Sequence, residues 1–152
     1  RALGLKEADL GKLRHGALVQ DVGSLLISDA ILLKAGALSA EEQTLIRQHP
    51  QHSRQILSTI RQLQPALDIP LYHHERWDGS GYPTGLTGEQ IPLAARIFAV
   101  VDVWMALRSA RPYRAAWSDS QAREHLRTMA GVQFDPKVVE TFLIVIAAMD
   151  NK

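Results

Sequence analysis

From Leu93 to Leu107 the chain presents almost no polar side chain. Leu93, Ala94, Ile97, Phe98, Val100, Val101, Val103, Trp104, Ala106 and Leu107 cover nearly the whole circumference of a helix with roughly 3.6 residues per turn. Pro92 directly precedes them, and a fixed φ with no N–H suits the first turn of a helix. A helix that is apolar all round must lie inside a bundle, so this segment predicts a central, buried element. Asp102 stands in the middle of it. Taking an ionised carboxylate out of water is costly unless it is paired or bound to a metal. Asp102 is therefore either a metal ligand or half of a buried pair with Arg96 or Arg111.

The remaining apolar spacing is also helical, and no stretch alternates as a strand does. Leu10, Leu13, Ala17 and Asp21 follow at steps of three and four, which carries the stripe of a first helix as far as Asp21. Ser39 with Glu42 forms a capping box that opens a helix toward His49. Pro50 suits the first turn of another helix, over 52–62. A short helix starts near Pro65 and ends by Arg76. Residues 77–90 hold four Gly and one Pro and read as a loop. Ser118 and Gln121 cap a helix ended by Gly131, and Asp135-Pro136 starts the last one. The expected fold is all-α: a compact, single-domain bundle of six or more helices.

With 152 residues, the chain is long enough for one domain with a real core. Its net charge of +1 gives no electrostatic basis for binding DNA or an anionic membrane. It has no Cys, so any metal must take N and O ligands, and the composition fits a reducing cytoplasm. The longest apolar run, Phe142 to Met149, falls far short of the ~20 residues of a membrane helix. No signal-peptide pattern is present. Residue 1 is Arg within a helix-like pattern, which suggests an N-terminally incomplete piece of a longer protein.

Chemistry concentrates at His73-His74-Glu75-Arg76-Trp77-Asp78-Gly79-Ser80-Gly81-Tyr82-Pro83. Two adjacent imidazoles have no structural purpose on a surface helix, whereas neutral imidazole is the commonest metal ligand. The glycines after them allow a sharp turn that closely approaches a ligand. Taken alone, His49 before Pro50 is either a helix-end hydrogen bonder or a ligand. His15, His52 and His125 read as surface residues. Arg111 and Arg114 offer two guanidinium forks for phosphate or sit solvated in a loop. Trp77 is a stacking platform or a packing residue.

The order of these motifs resembles the HD-GYP family, bacterial metal-dependent phosphodiesterases of cyclic di-GMP. HHERWDGSGYPTGLTGEQIPLAARIFAVVDVWMAL carries the family's HHE, DGxGYP and GLxGxxIPLxARIxAVxD elements in sequence. Residues 17–24, 27–34, 47–50, 111–114 and 131–136 match further elements, so the similarity runs from about Leu3 to about Leu143. The resemblance implies an HD-superfamily helical bundle with a metal centre ligated by Asp21, His49, His73, His74 and Asp102. Glu75 would orient an imidazole from behind. Arg111, Arg114 and Tyr82 would contact the ligand. Mixed imidazole and carboxylate ligation suits Fe, Mn, Zn or Ni, and such metals activate water and steady phosphoryl oxygens.

Two positions depart from the pattern. Gln20 stands where the family has the His of its His-Asp pair, and Ser24 where it has Lys. Met105 and Ala110 also replace acidic residues common in relatives. The expectation is a degenerate signalling domain with an incomplete or absent metal set, binding cyclic di-GMP or a partner protein with weak or no hydrolysis. Asp21 would bridge metals if the site were active. The alternatives are a working cyclic di-GMP phosphodiesterase completed by ligands outside this chain, and an HD-type phosphohydrolase of another nucleotide. Expected partners are cyclic di-GMP, diguanylate cyclase domains docking on the Tyr82 loop, and a sensor or receiver domain in an N-terminal part.

Overall fold

The structure, a computed structural model, describes residues 2–110 and 114–150. Its α-helices are α1 (Glu7–Leu18), α2 (Asp29–Leu32), α3 (Ala40–Ile46), α4 (His49–Leu57), α5 (Asp68–Tyr72), α6 (Leu93–Arg108), α7 (Asp119–Thr128) and α8 (Pro136–Asp150). Three 3₁₀ turns, Val22–Leu26, Arg61–Ala66 and Gly88–Gln90, lie between them. No β-strand occurs among the described residues, so the all-α expectation holds.

The core forms where α6 meets α7 and α8. Val100, Leu126, Phe134, Val138 and Val139 make one buried cluster, with Trp104, Ile97 and Phe142 packed against it. On its other side α6 packs against α5, which carries the paired imidazoles at its C-terminus. The expected central helix is therefore the wall between the core and the candidate site. Among its internal positions Met105 alone is exposed, at 58%.

Helix ends follow local chemistry. The capping boxes at Ser39/Glu42 and Ser118/Gln121 form as their sequences predict. Asp135 Oδ1 accepts from the backbone N–H of Lys137 at 2.8 Å, capping α8. The other Asp135 oxygen, Oδ2, takes Arg96 Nη1 at 2.6 Å, which ties the start of α8 to α6. Arg96 is thus not the partner weighed for Asp102.

Three boundaries differ from expectation. First, α1 stops at Leu18, and Asp21 stands directly before the turn Val22–Leu26 instead of extending the helical stripe. The break lets Gly23 pack on α4, where its N–H donates to Ser53 Oγ at 3.0 Å. Second, α4 ends at Leu57, because the hydroxyls of Ser58 and Thr59 bond back to the carbonyls of Gln55 and Ile56. Third, α5 begins at Asp68, since Pro65 lies inside the 3₁₀ turn before it.

Candidate metal centre

Four side chains from separate parts of the chain converge. Asp21, His49, His73 and His74 each place one ligand-type atom within 4.8 Å of the others. His49 opens α4, His73 and His74 follow the last turn of α5, and Asp21 precedes the 3₁₀ turn seated on α4.

Backbone carbonyls aim two of the imidazoles. His49 Nδ1 lies 2.8 Å from the carbonyl oxygen of Ile46, and His73 Nδ1 lies 2.8 Å from that of Ile69. A carbonyl only accepts, so in the neutral rings both Nδ1 atoms carry the hydrogen and each Nε2 presents a lone pair. These Nε2 atoms face Asp21 Oδ1 at 3.4 and 3.5 Å. His49 Nε2 is buried and has no hydrogen-bond partner. A lone pair facing a carboxylate is repulsive unless a cation lies between them. An orphaned buried acceptor also costs about 1–3 kcal/mol. The donor set fits a divalent transition metal on both counts.

Electrostatics keep the ligands in their binding forms. Burial, then His73 and His49, push His74 down to about 3. Burial, then the nearby His73, also lowers His49. A protonated His73, donating from Nε2, would hold the Asp21 carboxyl below its ordinary value, with the charges of His73, His49 and His74 adding to this. At neutral pH His49 and His74 are neutral and Asp21 is ionised, the states a metal requires.

The glycine-rich loop closes one side. Glu75 is 4% exposed and accepts from the backbone N–H groups of Thr84, Gly85 and Leu86 at 2.7 to 3.2 Å. That differs from the imidazole-orienting role expected for Glu75, which falls to the carbonyls of Ile46 and Ile69 for His49 and His73. Gly81 presses on the backbone so closely that an added Cβ would lie 2.4 Å from the Arg76 nitrogen. This clamped loop stacks Tyr82 on His74, ring centroids 4.7 Å apart and 17° from parallel.

Beside the cluster lies a cavity of about 320 Å³, lined by His73, His74, Tyr82, Asp102, Arg47 and Gln133 among others. Asp102 thus shares a wall with two of the imidazoles but stands outside the group of four. Arg114 is not part of that lining. Its Nη2 donates to the carbonyl of Ala106 at 2.6 Å, and its guanidinium sits 5.8 Å from the Trp117 ring centre. Arg111 lies outside the described residues. Trp77 has the Arg96 guanidinium 5.9 Å from its ring centre. Gln20 occupies the turn just before Asp21, and Ser24 lies in the following 3₁₀ turn. His52, expected on the surface, keeps its Nδ1 buried. Arg47 and Gln133 lie in segments 47–50 and 131–136 that match the family pattern, but the sequence did not single them out as site residues; folding brings them to the cavity.

A family model described as an HD domain matches residues 1–138. The chain belongs to the HD domain family. This HD domain is 45% identical over 143 residues to the cyclic di-GMP phosphodiesterase response regulator RpfG of Xanthomonas campestris pv. campestris, covering 93% of this chain and 38% of the relative. It is 42% identical over 142 residues to the 3'3'-cGAMP-specific phosphodiesterase 2 of Vibrio cholerae, covering 92% and 27%. The chain therefore spans between about a quarter and two fifths of these relatives' lengths. Among solved structures, a cyclic GMP-AMP specific phosphodiesterase of V. cholerae superposes with a TM-score of 0.72 at 24% identity, over 95% of this chain and 40% of that one. An HDG"Y"P protein from Bdellovibrio bacteriovorus gives 0.69 at 18%, over 95% and 46%. These two likenesses show the fold. No helix among the described residues is long and apolar enough to cross a membrane.

Proposed function

We propose that this HD domain holds a divalent transition metal at Asp21, His49, His73 and His74 and binds a cyclic dinucleotide with weak or no hydrolysis. The supporting observation is the convergence of three imidazoles and one carboxylate within 4.8 Å while position 20, directly before Asp21, carries a neutral amide. One metal has its ligands here, but the His of the His-Asp pair is missing. When bound, such a metal supplies Lewis acidity toward a phosphoryl oxygen. The chain's own groups orient the imidazoles through Ile46 and Ile69 and wall the cavity with the Tyr82 loop. The names of the relatives favour cyclic di-GMP or a cyclic GMP-AMP as ligand.

A second reading, an active phosphodiesterase, is favoured by those same names and requires ligands beyond these residues. Asp102, on the cavity wall, is the added ligand it would recruit, with Arg111 and Arg114 on the phosphates and Asp21 between metals. Docking of a diguanylate cyclase domain on the Tyr82 loop, an N-terminal sensor or receiver domain and a cytoplasmic location accompany both readings. Metal content measured together with cyclic di-GMP turnover on the longest available chain separates them. One metal or fewer, with binding but no cleavage, supports the first. Full multinuclear occupancy with turnover at about 1 per second or faster supports the second.

A further inference from the structure

The cavity beside the imidazole cluster contains one guanidinium with no evident structural task. Arg47 ends α3, two residues before His49, and lines the cavity with His73, His74 and Tyr82. It is exposed, and among the described residues no carboxylate forms an ion pair with it. Several other arginines are committed. Arg96 pairs with Asp135, Arg108 with Asp119 and Arg127 with Glu124. Arg76, which also lines the cavity, gives its Nε to Ser80 Oγ at 2.8 Å. Arg114 is spent on the carbonyl of Ala106.

What holds Arg47 is aromatic. Its guanidinium carbon lies 5.3 Å from the centre of the Tyr82 ring, whose plane stacks in turn on His74. A guanidinium on an aromatic face keeps its in-plane N–H donors free, and those donors match the oxygens of a phosphate. The carboxylates on the same wall do not compete strongly. Glu75 is satisfied by three loop amides, and Asp102 has an interaction partner of its own. Arginine, tyrosine and imidazole thus form a ledge from the cavity mouth to the candidate metal centre.

We infer that Arg47 is the anion-recognition residue of this cavity, donating to a phosphate oxygen of a phosphodiester ligand seated against the imidazole cluster. The inference rests on the ligand reading given under Proposed function, but it tests a different residue and responds to a simpler anion. The test is calorimetric titration of the chain, incubated with excess manganese(II), with inorganic phosphate and separately with cyclic di-GMP. Wild type, Arg47→Ala and Arg47→Lys are compared, with circular dichroism and bound metal recorded for each. Loss of a charge-assisted, two-pronged contact should weaken both ligands by about 10- to 100-fold in Arg47→Ala. Arg47→Lys should recover part of that loss, and metal content should not change.

Equal affinity of wild type and Arg47→Ala for both ligands overturns the assignment, as does a wild type that binds neither. Arg47-dependent phosphate binding without dinucleotide binding upholds Arg47 and sinks the dinucleotide reading. Dinucleotide binding indifferent to Arg47 does the reverse. A fall in bound metal in Arg47→Ala would show that the residue acts on the cluster and not on the anion.

Discussion

Gly23 sits so tightly on His49 that a Cβ added to it would lie 1.9 Å from the His49 carbonyl oxygen and 2.5 Å from the Ser53 nitrogen. These are backbone atoms of a helix and cannot swing aside. The contact brings the turn that begins at Asp21 onto the first turn of α4, so a missing side chain at position 23 is what lets the carboxylate reach the imidazoles.

Gly23→Ala should accordingly separate the turn from α4. Overpacking of this kind typically costs about 1–3 kcal/mol. A lower denaturation midpoint together with weakened metal uptake is the expected result. A variant of wild-type stability and metal affinity would mean that the turn is not held by this contact.

Glu75→Gln should loosen the loop. A carboxylate accepting from the amides of Thr84, Gly85 and Leu86 loses its charge in this variant, and hydrogen bonds to charged groups contribute about 1.5–3 kcal/mol. Hydrogen exchange should speed up at those three amides, and Tyr82 should lose its fixed stacking on His74. Unaltered exchange rates there would contradict the clamp.

The metal-free protein should lose stability as the pH falls below the ordinary histidine value of 6.5. His74 is held near 3 and His49 is also lowered, chiefly by burial, so over this range the unfolded chain binds more protons than the folded one. That contribution is complete above 6.5 and is lost as pH drops toward 3. Denaturation midpoints of chelator-treated protein at about pH 7 and about pH 5, compared with those of His74→Asn, test it. The variant should show the flatter dependence, and parallel pH profiles would refute the sign.

Asp135→Ala should be the most destabilising of these changes. The residue is 4% exposed, caps α8 and neutralises the partly buried Arg96. Removing one partner of a buried pair costs about 3–5 kcal/mol. Thermal unfolding measures this directly, and a loss below about 1 kcal/mol, the upper range for surface pairs, would argue that Arg96 finds water.

Gln20→His combined with Ser24→Lys should raise cyclic di-GMP turnover above that of the unmodified chain. A single positioned stabiliser is commonly worth about 100- to 1000-fold in rate. If the unmodified chain already turns over at enzyme-like rates, or the double variant leaves binding and turnover untouched, these two positions are not where activity was lost.

Helix α6 was legible in the sequence because an all-round apolar surface permits only one environment, whatever surrounds it. The capped starts of α3, α7 and α8 were legible for a similar reason, since each cap bonds residues only two or three positions away. The paired imidazoles announced a ligand site through their chemistry, and His49 and Asp21 joined them through motif order. Periodicity placed Asp21 on the wrong element, however, because apolar spacing cannot register a chain break made possible by what Gly23 packs against. Nor does any local pattern tell that Glu75 serves the loop, that Arg114 serves the end of α6, or that Arg47 reaches Tyr82. Those outcomes depend on contacts between residues distant in sequence, and only the folded backbone decides which groups share a cavity.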